Sequence, residues 1–159
     1  MAKESGLGDQ LFVAGYDLSG DVGAINVLAS RSGVLDTTAI NATGHERIHS
    51  HVDGEITFAH FFNDAAGQSH PVLEAKPATD IVVTYFHGSG IGELAAGMVA
   101  KQVTYDLTRG ADGSLAGTTQ CLSNLYGLEY CDQLTIGKRT DTGATNGAVR
   151  ELSTGDPSV

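Results

Sequence analysis

From Glu46 to Phe62 the chain alternates. Ile48, Ser50, Val52, Ile56, Phe58, His60 and Phe62 fall on one side of an extended backbone, and Arg47, His49, His51, Glu55 and Thr57 on the other. The alternation predicts a long strand over 45–62 whose apolar side faces a core. LFVAGY at 11–16 is a second strand, DLSGDVG at 17–23 a turn, and AINVLAS at 24–30 the returning strand. The small polar residues and isolated aliphatics of 32–45 predict a long loop holding a short strand. SHPVLEAK predicts one helix over 69–76, with Ser69 as cap, Pro71 in the first turn and Pro77 as the stop.

The remaining pattern is again strand-like. IVVTYF at 81–86 has the composition of a buried strand. Val99, Val103, Tyr105 and Leu107 share one parity and predict a strand that turns at TRGADG, 108–113, closes at Asp112-Gly113 and returns through SLAGTTQCL, 114–122, as a long hairpin. YGLEYC at 126–131 is the last regular piece. The reading is therefore mainly β, an antiparallel sandwich or barrel with one short flanking helix. It gives a β domain over 1–137 with a flexible N-terminus and a polar C-terminal arm over 138–159, where large apolar residues are few.

Composition sharpens this picture. Glycine makes up 21 of 159 residues, about twice its ordinary ~7% share, so the chain turns often. Nine Lys and Arg stand against nineteen Asp and Glu, a formal charge of −10, which argues against a groove that grips a phosphate backbone. The first ten residues lack the apolar core of a secretory signal, and no apolar run approaches a membrane span, so a soluble protein is expected. Cys121 and Cys131 are the two cysteines. Free thiols are the expectation, with a cross-strand bridge left open. Asn41-Ala42-Thr43 fits a glycosylation sequon, taken as coincidental without an export signal.

Three motifs invite chemistry. His49 and His51 lie at i and i+2 with Glu55 on the same parity, an arrangement by which a strand offers two imidazoles and a carboxylate to a divalent metal. It resembles the first half of a cupin metal motif, but no second half follows and His87 would have to replace the last ligand. The expectation is therefore no functional metal. Gly90-Ile91-Gly92-Glu93-Leu94-Ala95 follows a buried strand and fits the G-x-G-x-x-A turn that sets a pyrophosphate on a helix N-terminus, with Asp106 as the ribose carboxylate. The successive βα units of a dinucleotide fold are missing around it, so a loop between antiparallel strands is preferred. No serine stands in G-x-S-x-G and neither cysteine has a base nearby in sequence, so no catalytic residue, cofactor or enzymatic activity is assigned.

Across residues 6–145, GYDLSGDVGAI, DGEITFAHFFN, QSHPVLEAKPATD and above all AKQVTYDLTRGADGSL resemble the major tail (tail tube) proteins of long-tailed bacteriophages, most nearly those of actinobacterial phages. The resemblance implies a β-sandwich with a flanking helix. It implies a virion protein that forms hexameric rings, which stack into the tube through which DNA leaves the head. Its partners would be copies of itself and other tail proteins, with DNA as passing cargo and no membrane. It would be assembled in the host cytoplasm, and loop 32–45 and the termini would bridge successive rings. Relatives of that kind usually carry a second β-domain beyond the segment like RTDTGATNG, so a truncated or single-domain version is implied here. They also tend to have glycine where this chain has His49 and His51, which makes those imidazoles particular to this protein.

Overall fold

A computed structural model of the chain describes residues 5–88 and 93–132. Among these residues the elements run β1 (Gln10–Val13), β2 (Tyr16–Asp17), β3 (Val22–Asp36), β4 (Arg47–Phe61), α1 (Ser69–Leu73), β5 (Ile81–Phe86), β6 (Leu94–Gln102), β7 (Asp106–Arg109), β8 (Leu115–Ser123) and β9 (Glu129–Asp132). Every pairing is antiparallel, and the strands form one sheet in the order β2-β1-β5-β6-β8-β4-β3, with β7 added on β8 and β9 on β6. The chain is thus mainly β and antiparallel with one short helix, as the alternation predicted.

Two strands take successive partners along one edge. β8 pairs with β4 over Glu55–Phe61 on one side. On its other side lies first β7, at Leu115–Thr118, and then the end of β6, at Cys121–Ser123. β6 is shared likewise, with β5 on one side and β9 then β8 on the other. This sharing bends the sheet round on itself. Leu11 and Val13 of β1 join Ile56 and Phe58 of β4 in one buried cluster although β5, β6 and β8 separate the two strands in the sheet. Val83, Met98, Ala100, Cys121, Leu73 and Leu128 complete that core. Each large side chain so buried contributes about 1.5–3 kcal/mol.

The helix is shorter than the predicted 69–76, and its cap differs. Gln68 holds the cap position and makes no side-chain capping bond. The carboxylate of Asp21 supplies the acceptor instead: its Oδ2 takes the backbone N–H of Ser69 at 2.9 Å, while Oδ1 takes the Asn63 amide at 2.9 Å. An anion against the first turn also meets the positive end of the helix dipole. The Ser69 hydroxyl donates to the carbonyl of Phe61 at 2.7 Å, which ties the helix to the end of β4. At the other end Gln102 donates to the Leu73 carbonyl at 2.6 Å, satisfying a carbonyl that the short helix leaves without a partner.

Two further expectations are corrected. The strand expected within 32–45 is no separate element: residues 32–36 are the end of β3, because β4 offers a partner strand as far as Arg47; the loop proper is 37–46. The strand expected through Val103 and Tyr105 breaks there, so the hairpin is the short β7–β8 pair, whose turn has Gly113 at φ 89°. Leu94 and Ala95 begin β6 and Ala95 pairs antiparallel with Phe86, so the segment between them joins two antiparallel strands, the reading preferred over a dinucleotide turn. Residues 89–92 of that motif lie outside the described residues, as does the C-terminal arm over 138–159. Cys121 is buried in β8 and Cys131 exposed on β9, and they are not joined to each other.

Candidate assembly surfaces

β3 and β4 outrun the rest of the sheet. β8 covers the edge of β4 only from Glu55 onward, so Arg31–Asp36 and Arg47–Asp53 pair with each other alone. The result is a projecting two-stranded ribbon closed by loop 37–46. The loop is tied locally: the Glu46 N–H donates to Thr38 Oγ1 at 2.9 Å, and His45 Nδ1 lies 3.1 Å from Asp36 Oδ2. Hydrogen bonds from Thr38, then from His45, hold the Asp36 carboxyl below its ordinary range. Its register fixes two faces. The core-facing stripe of Ile56 and Phe58 reaches Val52, opposite Ser32, but between Ser32 and Val34 the register shifts by one residue on β4, so the alternation changes side there and Ile48, opposite Leu35, leaves the side of Val52.

Aliphatic side chains are exposed on both faces of the ribbon. Ile48 and Val52 retain 53% and 57% of their surface, and Leu35 54%, whereas the alternation predicted that Ile48 and Val52 face a core. The covering stops at one place. The turn before β9 crosses the stripe at Gly54, where an added methyl group would lie 2.4 Å from the Leu128 nitrogen and 2.8 Å from its Cβ. Gly127 sits against Val52 at a corresponding 3.3 Å. Beyond Val52 nothing in the described chain lies over the ribbon, and an isolated two-stranded ribbon is marginal in water.

Arg47 and His49 share one ribbon face, with Val34 across from His49, while His51 lies at the register shift itself. Among the described residues Arg47 and His49 make no side-chain hydrogen bond or ion pair, and His51 bonds only the neighbouring Ser50, at 3.2 Å. Glu55 lies beyond the register shift and is committed elsewhere. It accepts from Arg31 at 2.6 Å, from Gln120 at 2.8 Å and from Thr57 at 2.9 Å, and these bonds, Gln120 first, keep its carboxyl below the ordinary range. His87, the substitute ligand of the cupin reading, pairs with Asp9 at 3.0 Å. Among the described residues no three His, Cys, Asp or Glu side chains are grouped so as to hold a metal ion. Asp106, the expected ribose carboxylate, is an exposed residue at the start of β7.

A second set of exposed groups lies at the other end of β4. The β1–β2 turn, the segment after Phe61 and the β7–β8 turn meet β4 there: a methyl group added at Gly67 would lie 3.5 Å from the Tyr16 ring, and the Phe62 N–H donates to the Leu115 carbonyl at 3.2 Å. Tyr16 and Phe61 remain 50% and 59% exposed. Asp17, Asp64, Asp112 and Arg109, on or next to these segments, are exposed as well. Sequence reading assigned no role to this end, since its members are scattered over a hundred positions and only the folded sheet collects them.

Inside the sheet one polar cluster is fully covered. His60, 1% exposed, bonds Thr119 through Nε2 at 3.1 Å and stacks on the Tyr105 ring at 5.5 Å, while its Nδ1 has no partner. Burial disfavours its charged form and pulls its pKa below the ordinary value, against smaller opposing pulls from the Phe61 backbone and Asp21. Tyr105 in turn bonds His70 at 2.7 Å. This cluster fastens the β6–β7 connection to β4.

Comparison with known proteins places this architecture. The structure is similar to a chain in the virion of a native gene transfer agent particle, with a TM-score of 0.61 over 81% of this chain and 99% of that one at 10% identity. It is also similar to a chain in the tail of an empty gene transfer agent particle refined with C6 symmetry, with a TM-score of 0.55 over 70% and 82% at 12% identity. The chain has the fold of proteins found in these particles. No family model and no curated protein matches it in sequence. Among the described residues no helix is long and apolar enough to cross a membrane.

Proposed function

We propose that the chain is a structural tail protein of a phage-like particle, a tail tube subunit that assembles with itself into hexameric rings stacked into a conduit for DNA. The observation that carries this reading is the fold, which is similar to that of a chain from a C6-symmetric particle tail. Two features of the molecule suit it. The ribbon of β3 and β4 has apolar side chains uncovered, which a neighbouring copy would bury. The sheet also ends in open edges, and closing such edges against identical copies satisfies the backbone and stops growth at a fixed number.

The acidic balance fits a conduit rather than a binder. A bore of net negative charge repels phosphates over a Debye length of about 8–10 Å, leaving the polymer free to slide. In this reading the ribbon and loop 37–46, together with the arm over 138–159, make the axial contacts, the partners are other tail proteins, and the protein resides in the virion after assembly in the host cytoplasm. No catalytic step belongs to it. Negative-stain microscopy of the purified full chain tests it: rings or tubes with a central hole are expected, and uniformly small particles at every concentration and salt would refute it.

A further inference from the structure

His60 sits where β4, β8 and the β6–β7 connection meet. Its imidazole is on the inward side of β4, with Nε2 3.1 Å from the Thr119 hydroxyl of β8 and its plane parallel to the Tyr105 ring of the connection at 5.5 Å. Gly117 of β8 makes the room: a methyl group there would stand 2.6 Å from His60 Cε1 and 2.6 Å from the Asp106 carbonyl oxygen. Nδ1 is buried without a partner. Tyr105 links this stack to α1, because its hydroxyl lies 2.7 Å from His70 Nδ1, and His70 Nε2 lies 3.2 Å from the Glu74 carboxylate. Gln102 adds a second tie, donating to the Leu73 carbonyl at 2.6 Å and to the Thr104 carbonyl at 3.3 Å. Asp21 and Phe61 hold only the first turn of the helix, at Ser69. Its last turn and the connection are therefore fastened to each other, and over β4 they rest on the ring stack.

We propose that His60 is an acid-operated catch: a proton on its imidazole frees Tyr105, and with it the connection and the last turn of α1, while the rest of the sheet stays paired. A protonated imidazole carries two N–H donors, and here only Nε2 faces a hydrogen-bonding side chain. The surrounding groups do not compensate. β8 offers Thr119 and no ion. The connection offers Tyr105, a phenol whose pKa burial raises, while the side chain of Asp106 is exposed. α1 offers His70, whose nearest charge is Glu74. The turn before β3 offers Asp21, whose carboxylate is committed to Asn63 and Ser69. The Phe61 backbone and Asp21 favour the proton, and burial outweighs both. The open form takes it up near the ordinary value of about 6.5, so the catch is shut above that pH and loosens below it. Opening brings Leu73 and the core surface under Tyr105 to water, which turns a closed face into an adhesive one. The device holds whether or not copies of the chain assemble.

Hydrogen exchange of the full-length protein, read by mass spectrometry and corrected for the intrinsic effect of pH on the rates, tests the proposal. Peptides over 69–76 and 103–106 report the catch through the N–H groups of Glu74 and Val103, which donate to the His70 and Gln120 carbonyls at 2.9 and 2.8 Å. Peptides over 81–86 report the β5–β6 ladder. At pH 7.5 the catch is expected to be less protected than the ladder, because it opens without global unfolding. At pH 5.0 its protection is expected to fall by about five- to thirtyfold, the range for one proton taken up near the ordinary histidine value. His60→Phe is expected to abolish that fall, with His60→Gln in its place if circular dichroism shows the first variant unfolded. The proposal is overturned if the catch is as protected as the ladder at both pH values, if its protection does not change with pH, or if a folded variant without the imidazole keeps the fall.

Discussion

Replacing Gly54 with alanine probes the point where the ribbon leaves the body. Gly54 lies on the inward side of β4, fully buried, and the Leu128 backbone crosses directly above it. A methyl group there would stand 2.4 Å from the Leu128 nitrogen, 2.8 Å from its Cβ and 3.1 Å from its Cα. Those atoms belong mainly to backbone, so rotating a side chain does not relieve the clash, and the turn before β9 has to lift. Two effects oppose each other. Alanine in a strand recovers about 0.5–1 kcal/mol of the entropy that glycine loses on folding. Overpacking against a fixed backbone costs about 1–3 kcal/mol, and partial expulsion of Leu128, now 4% exposed, forfeits some of the ~1.5–3 kcal/mol its burial contributes. The second effect wins. A net loss of about 2 kcal/mol is expected, lowering the thermal midpoint by roughly 5–10 °C for a domain of this size. Urea denaturation followed by circular dichroism measures it, with Gly20→Ala as control, since a methyl group at Gly20 meets nothing within 4 Å. If Gly54→Ala is as stable as the control, the turn does not cross β4 as described.

Acid should weaken the fold through His60. Its folded-state pKa is depressed by burial, so the unfolded chain takes up the proton first, near the ordinary histidine value of about 6.5. Stability is then fully present above that pH and falls as pH drops below it. Urea midpoints of the parent and His60→Gln at pH 7.5 and pH 5 should show a steeper acid loss in the parent, and equal losses would refute the assignment. Cys121 should resist maleimide while the protein is native, because burial pushes its thiol pKa up to about 12; peptide mapping that finds it labelled before unfolding contradicts its place in the core. Deleting residues 138–159 should leave the melting curve of the β domain unchanged but weaken tube formation in sedimentation. A shortened chain that stacks as well as the parent would remove the arm from the axial contact.

What the sequence made legible is local. β4 announces itself because apolar and polar side chains alternate over fifteen residues, and β5 because Ile, Val, Tyr and Phe crowd six positions. The Asp112-Gly113 turn follows from glycine's tolerance of positive φ, observed at 89°. What escaped depends on partners far along the chain. Residues 32–36 look like loop, and they are strand only because β4 lies beside them. Ser69 looks like a cap, yet the acceptor is Asp21, 48 residues earlier. Parity put Ile48 and Val52 together on a core-facing side, but an extra residue of β4 between His49 and Val52 breaks the alternation, and the extent of cover is set by where β8 ends and where Leu128 crosses.

β4 runs from the ribbon into the body of the sheet, where β3 and β8 flank it, and this has a mechanical consequence. Hydrogen bonds of an antiparallel pair lie across the strands, so a pull on the ribbon along β4 loads the whole Glu55–Phe61 ladder with β8 in shear, all at once. A sideways pull would instead open the ribbon one bond at a time from its tip. A column of such subunits tensioned end to end therefore meets its load along the stiff direction of every member, and yields first to bending.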